Sequence, residues 1–496
     1  MLDNIINADI AALLSWVFKA FLTVQFARYL RYAIFGDEVM NKIPTIPGMS
    51  FFQFVANVTS PKGPEFMRGV CQQTDYTFRI PGTRWIMGGE AVVTGDPMIV
   101  RPFLENGKNQ EKGSRAYALF DTSAGGVTFF SASGHRGTHV RKSTAPAFSS
   151  SNTQRMTVTI DGIISDWIET RLEPLYVQAN ESIDMDQEMM MLTADVISQV
   201  GFEHTFTPDE KEEFVNKLRK IIDVNLARRK NPLKRGERFA FLFADLRAAK
   251  KATAEMIDMG KAMLQKSRKR HKEDSANPNH ETSLVHLIAS DSEYESDDER
   301  ARDILVFFFA GFDTTAHSIA WTLLELARNP KEQTKLRDAL KLWHEDGDSK
   351  RVDARNCPQV KYVTKESLRL HPPAPIGGYR ILGEDMKVPH KDMTIPKGTV
   401  CGVAIYTLMR HESVFENPDS YVPSRWENPS EASMKSYMPF LVGRRNCIGQ
   451  ALANAELTGV VAKLCAKYEF EIAKDGASHF SVTMQPLGSR LKVKRI

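Results

Sequence analysis

One stretch of thirty residues, ARDILVFFFAGFDTTAHSIAWTLLELARNP (Ala301 to Pro330), constrains the fold more than any other. It reads as a long, strongly apolar helix. Val306, Ala310 and Thr314 fall at i, i+4 and i+8 and so share one face. Polar residues in the middle of such a helix are expensive unless they are paired or useful. Gly311 adds a flat, weakened turn where oxygen or water could sit against the backbone. Asp313 and Thr314 then have two readings. Either Thr314 holds dioxygen and a water while Asp313 relays protons, or both bond locally in a core helix, Thr314 to its i−4 carbonyl.

The 496 residues are 42% hydrophobic and 25% charged, a globular composition with ample length for a large core. No segment repeats at a fixed period. The formal charge of +4 is small, and the basic residues are not interleaved with an aromatic or zinc-finger pattern, which argues against nucleic acid. Five cysteines (Cys71, Cys357, Cys401, Cys447, Cys465) lack paired spacing, as expected in a reducing compartment. Ile10 to Leu30 is long enough to span a bilayer, although Lys19 and Gln25 interrupt it. Asp3 and Asp9 precede it while Arg28, Arg31 and Lys42 follow, so a spanning helix would leave the body cytosolic. An amphipathic helix lying on a membrane or on the protein is the alternative. IPTIPG (Ile43 to Gly48) then marks a joint, dividing the chain into an anchor and linker (1–42) and one body (43–496). Within the body, Thr74 to Pro97 reads as short strands and Arg141 to Lys272 as mostly helical. The basic run at Lys266 to Asp274 and the acidic run at Asp291 to Arg300 read as solvated helix ends and loops.

A second stretch, FLVGRRNCIG (Phe440 to Gly449), sets one cysteine among glycines and arginines before another apolar helical pattern. The thiolate is the form that ligates metal, and the N–H groups of a following helix favour a negative sulfur. Gly443 permits a tight turn, and Gly449 lets the backbone and a flat cofactor approach closely. Phe440 offers an apolar lid, and Arg445 a cation for a carboxylate. Haem suits this set, with an iron needing an anionic axial ligand and propionates needing cations. Zinc suits it less, because no second Cys or His lies at ligand spacing nearby. An inert reduced cysteine in a loop is the remaining alternative.

Phe440, Gly443, Arg445, Cys447 and Gly449 match all five fixed positions of the F-x-x-G-x-R-x-C-x-G signature of the cytochrome P450 family. Chance produces such a match in roughly one chain of this length in ten thousand. On this resemblance Cys447 is the proximal haem ligand, Arg445 a propionate partner, and Arg444 part of a surface where a redox partner docks. AGFDTT (Ala310 to Thr315) resembles the family's A-G-x-(D/E)-T-T element, which favours the oxygen-pocket reading of Asp313 and Thr314. KESLRL with LRLHPPAP resembles the E-x-x-R helix, and VPSRW the P-x-R-(F/W) element. The resemblance implies a structural Glu366–Arg369–Arg425 network supporting the cysteine loop. GHRGTHVRKSTAPAF resembles the helix carrying G-x-x-W-x-x-x-R, with Arg141 on the propionate-binding Arg. Gly137 stands where the Trp is usual, so a donor is missing, and His139 or Arg136 is the expected substitute. Arg380, closing PPAPIGGYR, is a further propionate candidate.

The resemblance implies a mainly α fold with a smaller β region, forming one large catalytic domain of the eukaryotic membrane-bound type. It implies haem b with a thiolate ligand. The activity implied is a monooxygenase, placing one oxygen atom of dioxygen in a lipophilic substrate: a fatty acid by preference, otherwise a sterol, terpenoid or carotenoid. No flavin or nicotinamide fingerprint is present, so electrons are expected from a separate NADPH-dependent flavoprotein reductase. It would dock on a basic face including Arg444, Arg445 and Lys463. Substrate walls are expected from the loop before Gly134, from Phe307 to Phe312, from Ala374 to Gly378 and around Met484. Membrane lipid is the other expected partner, at the endoplasmic reticulum with the domain facing the cytosol. Two other classes compete: a reductase-independent haem-thiolate isomerase or dehydratase of lipid peroxides, and a non-catalytic haem-binding protein.

Overall fold

Capping residues mark many of the helix starts. Ser50 opens α1 (Phe51–Val58) with a reciprocal pair of bonds to Gln53. There follow α2 (Gly63–Gln73), strands β1 (Thr77–Arg79) and β2 (Ala91–Thr94), α3 (Pro97–Glu105), α4 (Ser114–Ala124) and α5 (Gly134–Thr144). Ser149 caps α6 (Ser150–Trp167), which widens into π turns over Ile168–Val177. Asp184 caps α7 (Met185–Phe202); α8 (Pro208–Lys230), α9 (Ala244–Glu273) and α10 (Leu284–Ser290) come next. Then come α11 (Asp297–Arg328), α12 (Pro330–Glu345), α13 (Pro358–Leu370), β3 (Gly377–Ile381), β4 (Met386–Lys387), β5 (Thr394–Ile395) and β6 (Val400–Val403). After a long meander, α14 (Gln450–Cys465) leads into β7 (Tyr468–Lys474), β8 (Ala477–Phe480), β9 (Met484–Leu487) and β10 (Arg490–Arg495). Single-turn helices fill some of the gaps. This is a computed structural model, and it describes residues 38–83, 89–109, 111–230, 234, 242–273, 282–345, 353–389 and 391–496. It also describes Ala20, Thr23, Val24, Phe26 and Ala27, all helical; the rest of the anchor candidate Ile10 to Leu30 lies outside the described residues.

The architecture is mainly α with a smaller β region in one large domain, as expected. The main sheet has the order β1-β2-β6-β3, parallel only between β2 and β6. The IPTIPG joint adds to its edge: Arg79 N–H donates to Pro44 O at 2.8 Å. One core lies under this sheet and already includes Met40. The largest core surrounds α11.

α11 is held by composition at both ends and by packing between. Ser296 caps it, Asp297, Asp298 and Glu299 meet its positive end, Arg328 its negative end, and Asn329–Pro330 stops it. Phe308, Phe312 and Trp321 are fully buried along it. It is long and apolar enough to cross a membrane, yet it lies inside the core against α7. Gly311 does not weaken the helix, which runs through unbroken. A Cβ there would come within 2.8 Å of Ile197, so the glycine serves the close approach of α7. Nor are the two charge runs simply solvated. Arg268 grips Asp297 through two 2.7 Å bonds, and Asp298 meets Lys261 at 3.0 Å, which ties α9 to the start of α11.

Glu366 and Arg369, both fully buried on α13, form the expected network. Arg369 donates two 2.9 Å bonds to Glu366 and others to the carbonyls of Met409, Pro418 and Ser420. Glu366 also accepts from Arg425 Nε and Trp426 Nε1, each at 2.9 Å. One carboxylate and one guanidinium thus fix the meander before the cysteine loop. Arg369→Met should destabilise the protein by about 3–5 kcal/mol, because it leaves Glu366 buried with its main partner gone. Urea unfolding monitored by circular dichroism checks this; a midpoint within error of the parent would contradict it.

Candidate functional site

An interior cavity of about 850 Å³ lies between α11 and the cysteine loop. The loop is shaped by backbone contacts. Gly443 has φ +78°, and a Cβ there would lie 2.3 Å from Leu104 O, so only glycine fits. Cys447 N–H donates to Phe440 O at 2.8 Å, closing the turn, and Phe440, Cys447 and Gly449 all line the cavity. α14 starts at Gln450, three residues later than the cysteine. All five cysteines are free, and four are buried. Cys447 alone is exposed, and its exposure is to the enclosed cavity. Burial pushes its thiol up, while the Gly449 N–H and the Arg141 cation pull back toward thiolate.

Four cations turn into this cavity: Lys112, Arg141, Arg380 and Arg445. Neutral oxygens hold them. Arg141 donates to Asn446 O at 2.8 Å, Arg445 to Gly137 O at 2.7 Å, Arg380 to Tyr379 O at 2.8 Å, and Lys112 to Phe130 O. Burial and then the three arginines depress Lys112 well below its ordinary range. Arg445 is lowered by burial and by Arg380 and Arg141. Among the described residues lining the cavity the one carboxylate is Glu456 of α14. Burial raises it well above the usual carboxylate range, and its Oε1 has no hydrogen-bond partner. The lining therefore carries a positive field, which Asp121 behind Lys112 offsets only in part.

The two expected substitutes for the missing donor are not among the cavity-lining residues. His139 bonds Asp291 at 2.8 Å, and Arg136 pairs with Glu299 and Asp303, all away from the cavity. Lys112 lines the cavity where they do not. It lies before α4, with its backbone N–H on Ser133 Oγ at 2.8 Å. No local motif around Lys112 signals this. Gly137 also has a positive reason: a Cβ would lie 2.3 Å from Ala132 O and 2.9 Å from Arg445 Nη1. Arg445 faces the cavity and so leaves the expected docking face. Arg444 is exposed there, and Lys463 is half-exposed beside Asp161.

Across α11, Val306, Ala310, Gly311 and Thr314 line the cavity as their spacing predicts. Thr314 Oγ1 also donates to Ala310 O at 2.8 Å, so the local bond is made by a residue that still lines the cavity. Asp313 points away from the cavity. It accepts from Thr483 Oγ1 at 2.7 Å and lies 3.4 Å from His317, and Thr483 is the group that lines the wall. The remaining wall is aromatic: Phe120, Phe129, Phe130, Phe148, Phe307 and Phe309, with Phe129 stacked on Phe307 at 3.8 Å. Two expected wall residues do not contribute. Phe308 and Phe312 turn outward into the core, where Phe308 meets Phe202 and Phe214. In the tail, Phe480 to Thr483 line the cavity, while Met484 is buried and accepts from Trp321 through its carbonyl. α1 adds Phe51, Phe54, Val55 and Val58, which the sequence reading missed. Its signal was FFQFVANV behind a capping serine, which sets Phe51, Phe54, Val55 and Val58 on one face and Gln53 and Asn57 on the other.

The family model for cytochrome P450 matches residues 56–493. The chain belongs to the cytochrome P450 family. Among curated relatives, this P450 is 28% identical to mouse cytochrome P450 4A10 over 411 residues, covering 78% of the chain and 77% of the relative. It is 26% identical to rat cytochrome P450 4F6 over 384 residues, covering 74% and 71%. A more similar but shorter match is cytochrome P450 4d8 of Drosophila melanogaster, 37% identical over 180 residues; this spans 35% of the chain and 39% of the fly protein's length. Haem b on a cysteine thiolate is the cofactor of the family and of this P450. The residues fit it: four cations would meet two propionates, and the one cysteine open to the cavity would meet the iron.

Gly137→Ala should destabilise this P450 by about 1–3 kcal/mol, because the added methyl has no room between Ala132 O and Arg445. A thermal melt of the haem-loaded protein checks it, and an unchanged midpoint would contradict the crowding.

Proposed function

We propose that this P450 is a monooxygenase of lipophilic substrates, with fatty acids as the favoured class. The observation that carries the reading is that one aromatic-walled cavity is shared by Cys447, four cations and Thr314. When bound, haem supplies dioxygen activation, and thiolate ligation favours O–O cleavage. Cys447 would hold the haem iron through its thiolate, steadied by the Gly449 N–H. Lys112, Arg141, Arg380 and Arg445 would hold the propionates, with Phe440 covering the sulfur. Thr314 would orient dioxygen and a water through its hydroxyl, with Ala310 leaving space beside it. Asp313 would hold the proton-delivering carboxylate behind Thr483. The phenylalanine walls would grip an apolar chain and exclude water. One oxygen atom then enters a C–H bond, and the other leaves as water with two electrons and two protons. The electrons would come from NADPH through a separate flavoprotein reductase, docking near Arg444. The N-terminal segment would tether the domain to the endoplasmic reticulum, facing the cytosol. The polar link from Thr483 to Asp313 favours this reading over a lipid-peroxide isomerase, which needs no protons.

The test is turnover of dodecanoic acid by the haem-loaded protein with NADPH and a purified flavoprotein reductase. Hydroxylated product is expected, and Cys447→Ser should remove the thiolate signature from the reduced carbonyl spectrum. Reductase-independent conversion of a lipid hydroperoxide, with no NADPH-driven product from any lipid class, would overturn the reading.

Lys112→Met should speed haem loss by about tenfold, as expected from deleting one charge-assisted hydrogen bond. The haem-free protein should melt no lower than its parent, because a like charge has left the cluster. Haem transfer to apomyoglobin and a melt of the haem-free form check the two arms.

A further inference from the structure

Asp313 belongs to a buried network that a monooxygenase site does not by itself require. Thr483 Oγ1 donates to its Oδ2 from the cavity wall. His317, one turn along α11, lies with Nε2 3.4 Å from Asp313 Oδ1. The other nitrogen, Nδ1, is 2.5 Å from Asp186 Oδ1, in the first turn of α7. Asp186 Oδ2 is 3.8 Å from Arg219 of α8, whose side chain is partly exposed. Contacts therefore run from the cavity wall to the surface, and His317 is the bridge. Asp223 of α8 lies within electrostatic reach of Asp313, and of Arg219 and His479 of β8.

The geometry decides the charge states. A ring with a carboxylate at each nitrogen is an imidazolium with two N–H donors. Burial opposes this charge, but Asp186 and Asp313 outweigh it and hold His317 up at about 10. Burial likewise pushes Asp313 up, but His317, Thr483 and Arg219 keep it below its ordinary value. The bridge is uneven: 2.5 Å to Asp186 against 3.4 Å to Asp313. Asp186 thus takes the larger share of the cation and leaves Asp313 the looser contact.

We infer that His317 is a positioning residue for oxygen activation, keeping Asp313 ionised and turned onto Thr483, with Asp186 as the counterweight that prevents Asp313 from being locked. The inference rests on the monooxygenase reading and adds to it the groups that set the state of its proton-delivering acid. Without His317, two buried carboxylates share one region and lack their cation, so Asp313 must titrate higher. Without Asp186, His317 turns wholly to Asp313 and the acid is held more tightly.

The test uses the haem-loaded protein with NADPH, a purified flavoprotein reductase and dodecanoic acid as probe, measuring oxygen uptake, peroxide and product from pH 6 to 8. The wild type should partition oxygen between peroxide and product independently of pH. His317→Asn should make the partition vary by about threefold or more with a midpoint inside that window, while its carbonyl spectrum stays that of the wild type. Asp186→Asn should keep the partition flat and slow the solvent-deuterium-sensitive step by about threefold or more. A haem-loaded His317→Asn protein with the wild-type flat profile overturns the inference. If that variant fails to load haem, Asp186→Asn decides: slowed proton transfer supports the inference and wild-type kinetics overturn it. A wild type with no NADPH-driven oxygen uptake sinks the monooxygenase reading itself, a result distinct from a flat variant profile.

Discussion

Repulsion among Lys112, Arg141, Arg380 and Arg445 is the constraint that the rest of the site answers. Each charge is oriented by a carbonyl oxygen, from Phe130, Asn446, Tyr379 and Gly137 respectively. A neutral acceptor satisfies an N–H but does not neutralise a cation. The four groups come from the stretch before α4, from α5, from β3 and from the cysteine loop. A dianionic ligand held among them would relieve that repulsion and stabilise the folded arrangement by mass action.

Close backbone approach makes this arrangement possible. Gly443 brings the cysteine loop against Leu104 of α3, and Gly137 brings α5 against the Arg445 guanidinium. Each contact fails if a Cβ is added. Behind the loop, the Glu366–Arg369 pair holds the meander through three carbonyls and Trp426, so the segment entering the loop has few alternatives. The loop's own turn then needs only Cys447 N–H on Phe440 O.

What the sequence made legible was local. Cys447 with its glycines and arginine lies within ten residues, Glu366 and Arg369 lie three apart, and the cavity face of α11 follows from helical spacing. What escaped depends on tertiary approach. His317 and Asp186 are 131 residues apart, and Asp313 and Thr483 are 170 apart. Lys112 is an ordinary lysine until three arginines surround it. Phe308 and Phe312 look like wall residues beside Phe307 and Phe309, but at 3.6 residues per turn the two share the opposite face of the helix. Gly311 looks in sequence like an opening for ligand because Ile197, which fills the space beside it, comes from another helix. Arg136 and His139 have the right chemistry on the right helix, but the acidic run leading into α11 captures them.

Two buried carboxylates flank the cavity in opposite states, and their surroundings explain why. Glu456 has no charged partner, so burial keeps it neutral with one oxygen unbonded. Asp313 is as deeply enclosed, yet His317, Thr483 and Arg219 hold it ionised. The neutral form is the inexpensive solution in a low-dielectric interior. Sustaining the ionised one requires a second buried ion, His317, and then a third, Asp186, to share it. An apolar trio of similar volume would be neutral or stabilising by comparison. Stability therefore gives no reason for three charges in the core beside α11. The position of the charge relative to Thr483 and the cavity does, because a carboxylate can exchange a proton with the wall only if it is ionised part of the time and within one hydroxyl of it.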